Sequence, residues 1–152
     1  MTKQTDQNLI QSAIEELRLL EHEGPFRWSA RLRFTEAIPA DTYGVPGIYE
    51  IFYRDQVAYV GISASRKGKR TYGIHDRIQK KATIVCRHYD NPAKIHSLKE
   101  TWLKKALEQQ YEIHHSNWQY RYCVTTKPVA LALEMPLISM YRRQGLCALN
   151  TQ

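Results

Sequence analysis

Two tyrosines, each close to a glycine, stand near the ends of the segment GIYEIFYRDQVAYVGIS, where Tyr49 closes the triplet GIY and Tyr59 opens the triplet YVG. A phenolic hydroxyl donates and accepts hydrogen bonds, and its pKa in water is about 10. A tyrosine that acts as a base near neutral pH therefore needs positive charge beside it, which Lys67, Lys69 or Lys81 could supply. Each tyrosine taken alone is also compatible with a half-buried aromatic side chain on a strand.

A block of cationic side chains follows these triplets. Residues 47–152 carry seventeen basic and eight acidic side chains, whereas residues 1–46 carry five and seven, so the formal net charge of +7 belongs to the larger segment. Between residues 66 and 81 a single acidic side chain, Asp76, accompanies Arg66, Lys67, Lys69, Arg70, Arg77, Lys80 and Lys81. The block indicates a polyanion ligand, most often nucleic acid, although a solvated basic loop has the same composition.

Glu134 is a carboxylate in an apolar stretch. Its neighbours along the chain are Ala130, Leu131, Ala132, Leu133, Met135, Leu137 and Ile138. A charged group in such surroundings needs a partner, either a cation or a metal ion. The alternative is an ordinary glutamate on the solvent side of a helix.

The elements that must position these side chains are predicted from hydrophobic periodicity. Helices are expected over residues 7–22, 74–83, 98–110 and 127–144, and strands over residues 26–34, 47–53, 56–62 and 118–124. Segment 84–96 is expected to be irregular, and Pro136 is expected to kink or break the last helix. The order predicts an α/β protein of the α+β type: a small, mainly antiparallel three-stranded sheet flanked by helices, with an N-terminal helix and strand as an extension.

The two strands that carry the tyrosines are predicted to form a hairpin with a two-residue turn at residues 54–55. Around such a turn residue i pairs with residue 109 − i, so Tyr49 lies near Val60 and Tyr59 lies near Glu50. Strict pairing places the two tyrosines on opposite faces of the sheet. A register shift or twist would let their hydroxyls converge on one patch.

The expected strand at residues 26–34 alternates apolar and basic side chains. Its apolar face would hold Phe26, Trp28, Ala30, Leu32 and Phe34. Its other face would present Arg27, Arg31 and Arg33, which could contact DNA phosphates. An edge strand that uses arginine to avoid aggregation has the same pattern.

The triplet GIY, nine further residues and then YVG resemble the signature of the GIY-YIG nuclease family. Three later residues match further positions of that family. Arg77 matches the arginine on the helix after the second triplet, Glu134 matches a metal-binding glutamate on a later helix, and Asn150 matches the asparagine that follows that helix. Lys81 departs from the pattern, because many members carry a histidine or a tyrosine at that position.

The resemblance implies a role for each matched residue. Glu134 would bind one divalent ion, Mg²⁺ or Mn²⁺, since such hard cations take few protein carboxylates and keep several waters. Tyr49 would position or deprotonate the attacking water, and Tyr59 would bind the phosphate or the shell of the metal. Arg77 would clamp the scissile phosphate, and Asn150 would orient the glutamate or another group of the site.

The resemblance covers residues 46–152, with a long insertion at 84–117, and leaves residues 1–45 as an extension. It implies a metal-dependent endonuclease, a phosphodiester hydrolase that acts on DNA, most readily double-stranded. The enzyme would be either a compact type II restriction endonuclease or a low-specificity repair or defence nuclease, and a homodimer is possible. Gly47 and Gly61 would allow a close backbone approach or mark a bulge. The competing class is a nucleic-acid-binding module with an inactive nuclease site.

The start of the chain lacks the pattern of a signal peptide, and no apolar run is long enough to span a bilayer. The three cysteines, Cys86, Cys123 and Cys147, are far apart and odd in number, which argues against a disulfide framework. We therefore expect an intracellular, cytoplasmic protein that has no membrane partner and is associated with the nucleoid when bound to DNA.

Overall fold

The computed structural model describes residues 27–63, 73–90 and 101–150, together with Glu15. Within these residues the strands and α-helices are β1 (Leu32–Arg33), β2 (Gly47–Tyr53), β3 (Gln56–Ser63), α1 (Gly73–Asp90), α2 (Thr101–Glu108), β4 (Trp118–Val124) and α3 (Lys127–Arg143). Short 3-10 helices occupy Ala40–Thr42 and His115–Asn117. The predicted α+β class is confirmed, with four strands in the described sheet rather than three.

β2 and β3 form the predicted hairpin, with its turn at Arg54 and Asp55. Both turn residues have a positive φ, 51° and 80°. Such a turn has the twist that the two flanking strands need. The predicted pairing holds beside the turn, but a bulge next to Ile51 shifts the register by one residue over the rest of the hairpin. Ala58 on β3 is the residue left without an opposite partner.

The sheet is antiparallel throughout its described strands, in the order β1-β4-β2-β3. β4 lies between β1 and β2, so the expected strand at 118–124 is confirmed as an inner strand. β3 is at one edge, and the C-terminal segment covers it: the N–H of Cys147 donates to the carbonyl of Val57 at 2.9 Å, and that of Leu149 to Ala58 at 3.0 Å. Because the C-terminal segment occupies these hydrogen-bonding groups of β3, fewer of them can pair with a strand of another chain.

The expected nine-residue strand at 26–34 is wrong, because regular pairing with β4 extends only over Leu32–Arg33. Before it, the N–H of Ser29 donates to the carbonyl of Tyr122 at 2.8 Å, and the chain between is irregular. The irregular path lets Trp28 pack with the α3 side of the sheet while Phe34 is buried on the other side. The segment therefore lacks the single apolar face that its alternation predicts.

Helices cover both faces of the sheet, because side chains along β2 and β4 alternate between two apolar clusters. The cluster with α1 and α2 includes Tyr49, Ile51, Ile74, Ile78, Val85, Trp102, Leu103, Trp118 and Tyr120. The cluster with α3 includes Ile48, Phe52, Val60, Cys123, Ala130, Leu133, Leu137 and Ile138. Each face of the sheet is thus a separate packing layer.

Two of the helices differ from expectation. α1 continues to Asp90, so the prediction of an irregular segment from residue 84 is wrong over its described part. The buried side chains of Ile84 and Val85 extend the apolar stripe of this helix. α3 begins after Thr126, whose hydroxyl accepts from a backbone N–H of the first turn, and it continues through Pro136 without the expected break.

Several predicted features lie outside the described residues. They are the helix at 7–22 apart from Glu15, the cationic residues Arg66, Lys67, Lys69 and Arg70, and residues 91–100. Among the described helices, none has both the length and the apolar character that crossing a membrane requires.

Candidate active site

The bulge beside Ile51 brings the two tyrosines onto one face of the sheet. Beyond it, Tyr49 pairs with Gly61 and Ile51 pairs with Tyr59, so these four odd-numbered positions share one side of the sheet. The tyrosine rings lie 6.2 Å apart with 29° between their planes. Their side chains also share a hydrogen bond. The expected pairing rule is therefore wrong at both tyrosines, and one extra residue on β3 is the reason.

The glycines of the two triplets make room for neighbouring groups. A methyl group on Gly61 would overlap the ring and hydroxyl of Tyr49, which lies across it from the opposite strand. A methyl group on Gly47 would overlap the carbonyl of Cys123 and the side chain of Ile74. The close neighbours are a backbone carbonyl and an aliphatic side chain at Gly47, and an aromatic side chain at Gly61.

Tyr49 is buried, with 2% of its surface exposed. Its pKa lies well above the usual value, chiefly because burial penalises the phenolate; Tyr59 adds to the increase, Arg77 opposes it, and Glu134 adds a smaller increase. Arg77 and Glu134 are therefore near enough to act on this hydroxyl electrostatically. A neutral phenol can hold a water molecule by hydrogen bonds, but in this state it cannot take a proton from it.

Arg77 also acts on Glu134. Burial raises the pKa of Glu134, and the guanidinium of Arg77 lowers it in part. Arg77 is exposed on α1 and Glu134 is half-buried on α3, two helices that pack on opposite faces of the sheet. Such helices can approach each other only past the rim of the sheet, and Tyr59 lies on the edge strand. The candidate site is thus formed where β2, β3, α1 and α3 approach one another at the rim of the sheet.

Lys81 follows Arg77 by one turn of α1 and is buried, with 8% of its surface exposed. Its Nζ lies 4.9 Å from the ring centre of Tyr59, 5.7 Å from that of Tyr49 and 5.8 Å from that of Trp102. These distances are within the range of cation–π attraction. The ammonium group is therefore enclosed by aromatic rings at the base of the candidate site, whereas Arg77 presents its charge to solvent.

Asn150 holds the backbone of β3 at the residue after Tyr59. Its Oδ1 accepts from the N–H of Val60 at 2.9 Å, and its Nδ2 donates to the carbonyl of Val60 at 2.8 Å. The carbonyl of Asn150 accepts from the side chains of Lys105 and Arg142. The side-chain contacts of Asn150 therefore fix the backbone of the strand that carries Tyr59, and its expected role in orienting a group of the site stays a prediction.

The donor set for a metal ion is small. Among the described residues there is no group of three or more histidine, cysteine or acidic side chains that could hold an ion. Glu134 is accordingly a single carboxylate, half-buried beside the phenols and Arg77. Such a site fits Mg²⁺ or Mn²⁺, which can use one protein carboxylate together with waters and substrate phosphate oxygens. It does not fit a structural zinc site, which needs four protein ligands.

The three arginines of the N-terminal segment, Arg27, Arg31 and Arg33, are exposed. They do not form one uniform face, because Arg31 is engaged at the hairpin turn. Its Nη1 lies 3.0 Å from the carboxylate of Asp55, and its guanidinium carbon lies 4.1 Å from the centre of the Phe52 ring.

A buried ionic group on the α3 face was not anticipated from the sequence. Glu50 is fully buried and accepts hydrogen bonds from the Nε of Arg121, its cross-strand partner, and from the hydroxyl of Tyr141 on α3. Burial and then the glutamate raise the pKa of Tyr141. Burial lowers the pKa of Arg121, but the glutamate opposes this, and the net shift is upward. An acidic residue within the apolar strand GIYEIF was the available signal. The group ties α3 to the strand that carries Tyr49.

Comparison of the chain with protein-family models, with curated proteins and with solved structures yields no match. The convergence of Tyr49, Tyr59, Arg77 and Glu134 is therefore the feature from which a function can be inferred.

Proposed function

We propose that the protein is a metal-dependent DNA endonuclease of the GIY-YIG type. One observation carries the proposal: side chains from four elements, Tyr49, Tyr59, Arg77 and Glu134, interact with one another at the rim of the sheet. Their chemical types are those that hydrolysis of a phosphodiester requires, namely groups that orient water, a cation for the phosphate and a carboxylate for a metal. The net charge of +7 supports a polyanionic substrate.

In this proposal each side chain has one task. Tyr49, whose ring is held across Gly61, orients the attacking water by hydrogen bonds as a neutral phenol. Tyr59, which is half-buried, keeps the hydroxyl of Tyr49 in place and presents its own hydroxyl to the phosphate. Arg77 pairs with two phosphate oxygens and neutralises charge that develops during attack. Glu134 holds a divalent cation, which when bound acts as a Lewis acid toward the phosphate and the leaving oxygen.

Nicking of supercoiled plasmid tests the proposal. The purified protein should convert plasmid to open circles and linear DNA in Mg²⁺ or Mn²⁺, and EDTA should stop the reaction. Glu134→Gln should remove cleavage while preserving the fold and most DNA affinity, because the change keeps the volume and removes the charge that holds the metal. Cleavage by Glu134→Gln at near the normal rate would show that this carboxylate is not the ligand.

A binding module with an inactive site would give a different result. Such a protein binds the plasmid, and no nick accumulates in Mg²⁺ or Mn²⁺ at any protein concentration. If nicking is seen, sequencing the DNA ends will separate a restriction role, with one repeated cut sequence, from a low-specificity repair or defence role, with scattered cuts.

A further inference from the structure

Tyr43 is an exposed aromatic side chain whose ring is nonetheless held in place. With 60% of its surface exposed, it is among the large hydrophobic side chains that the described part of the chain leaves in solvent. One face of its ring stacks on His75, with ring centres 3.9 Å apart and 20° between the planes. The ring of Tyr43 therefore has one face covered by His75 and its other face open to solvent.

The backbone fixes this surface to the start of α1. The N–H of Ile74 donates to the carbonyl of Val45 at 3.0 Å. Gly73 packs so closely that a Cβ there would lie 2.5 Å from the backbone nitrogen of Gly44. The loop that carries Tyr43 is thus joined to the helix that carries His75. A ring that is already positioned loses little conformational entropy when it binds a ligand.

The pair lies close to Arg77 of the candidate active site. His75 and Arg77 are on the first turns of α1 and flank its buried stripe, which includes Ile74. The width of a helix separates the two side chains by roughly 10 Å, about the length of three nucleotides of a strand at ~3.4 Å each.

We propose that Tyr43 and His75 form a stacking platform for one nucleobase of the DNA that the site cleaves. Every base has an aromatic face, so a tyrosine ring beside cations is a site for a nucleic acid strand. A base reaches the platform only when it is outside the duplex stack. The substrate class is therefore DNA with an unpaired or extruded nucleotide a few positions from the phosphate that Arg77 holds. The inference depends on the DNA-binding part of the proposed function and not on cleavage.

Binding measurements in EDTA test the platform without catalysis. The probes are three labelled duplexes: one fully paired, one with a short unpaired segment, and one in which abasic sites replace the unpaired bases. Tyr43→Ala should weaken binding of the unpaired probe about 5- to 150-fold, the range for loss of one stacked base. Tyr43→Phe should stay within about twofold, because it keeps the ring. The abasic probe should bind the wild type and Tyr43→Ala equally.

The control variant is Leu131→Ala, which truncates another exposed apolar side chain, 53% exposed, and should leave all three affinities unchanged. Thermal unfolding should show that every variant is folded.

The platform is overturned if Tyr43→Ala loses the same affinity for the unpaired and abasic probes, or if it loses no affinity for the unpaired probe. If the wild type nicks plasmid while Tyr43→Ala binds normally, only the platform fails. If the affinities change as expected but Mg²⁺ supports no nicking, only the nuclease fails. A wild type that binds none of the probes overturns both.

Discussion

Tyr49 illustrates how burial decides the chemistry of a single residue. No solvent is left to stabilise a phenolate at this position, so burial raises its pKa more than the guanidinium of Arg77 lowers it. Among the described residues, Arg77 is a cation that acts on this hydroxyl. A neutral phenol favours the role of orienting the water over that of deprotonating it.

Arg77 is an exposed residue whose loss should lower cleavage strongly without unfolding the protein. We expect Arg77→Ala to lower turnover at saturating DNA by about 100-fold or more, since one donor to the developing charge contributes that much in comparable sites. Arg77→Lys should lose less, because it keeps the charge but not the two-pronged contact. A fall of less than about tenfold in Arg77→Ala would indicate a surface role. Single-turnover rates measured beside DNA affinity separate these outcomes.

Arg77→Ala should also change the pH dependence of the cleavage rate. Arg77 lowers the pKa of Glu134, so its removal should raise that pKa further. Because the carboxylate must be ionised to hold a cation, the acid limb of the pH–rate profile should move to higher pH in Arg77→Ala. A limb that stays at the wild-type pH would exclude Glu134 as the titrating group.

Lys81 offers a second test at the residue scale. Lys81→Met keeps an unbranched side chain among the three rings and removes the ammonium. We expect the cleavage rate to fall at least tenfold, because the cation between Tyr49 and Tyr59 attracts the negative charge of the bound phosphate. The matched control is Lys80→Met, an exposed lysine on the same helix. Equal rates for the two variants would make Lys81 a packing residue.

At the scale of the element, the hairpin positions the site through its bulge and through Gly61. The extra residue Ala58 brings Tyr59 to the side of Tyr49, and Gly61 leaves the space that the ring of Tyr49 occupies. The two glycine-bearing triplets therefore contact each other, because the ring of Tyr49 in the first triplet packs on Gly61 in the second.

Gly61→Ala should therefore lower activity while the hairpin still forms. The new methyl group forces the ring of Tyr49 away from its place, and we expect at least a tenfold loss of cleavage. Gly145→Ala is the control. That glycine has open space around it but a φ of 77°, so the variant should lose about 1 kcal/mol of stability and no activity. If both variants lose activity in proportion to stability, Gly61 has no specific role in the site.

At the scale of the whole molecule, buried or half-buried tyrosines pack on both faces of the sheet. The pKa values of Tyr49, Tyr122 and Tyr141 are raised, chiefly by burial, and burial raises that of Tyr120 to about 12. In the unfolded chain these phenols ionise at about pH 10. Between that pH and the folded pKa values, the unfolded state releases protons that the folded state retains.

Stability should therefore be present below about pH 10 and be lost as the pH rises toward 12. We expect each strongly shifted tyrosine to contribute a slope of up to about 1.4 kcal/mol per pH unit to the unfolding free energy in that window. Urea unfolding at pH 8, 9.5, 10.5 and 11.5 measures it. Tyr49→Phe should reduce the slope, and Tyr43→Phe, which alters an exposed tyrosine, is the control. An equal slope in wild type and Tyr49→Phe would contradict burial as the cause of the raised pKa.

The amino-acid sequence by itself determined the elements whose signals are local. The hairpin at residues 47–62, the strand at 118–124 and the helix after Thr126 follow from period, turn chemistry and capping, which act between residues close in the chain. The residue types of the candidate site were also evident, because the spacing of the two triplets and the isolated Glu134 are visible without coordinates.

Only the tertiary structure decided how these residues meet. The one-residue shift at Ile51, the shortened β1 and the burial of Glu50 against Arg121 depend on partners far away in the chain, which no local period specifies. The proximity of Arg77 to Glu134 also depends on contacts between residues that are far apart in the chain. Their helices pack on opposite faces of the sheet, and only the packing of both layers determines where those helices pass its rim.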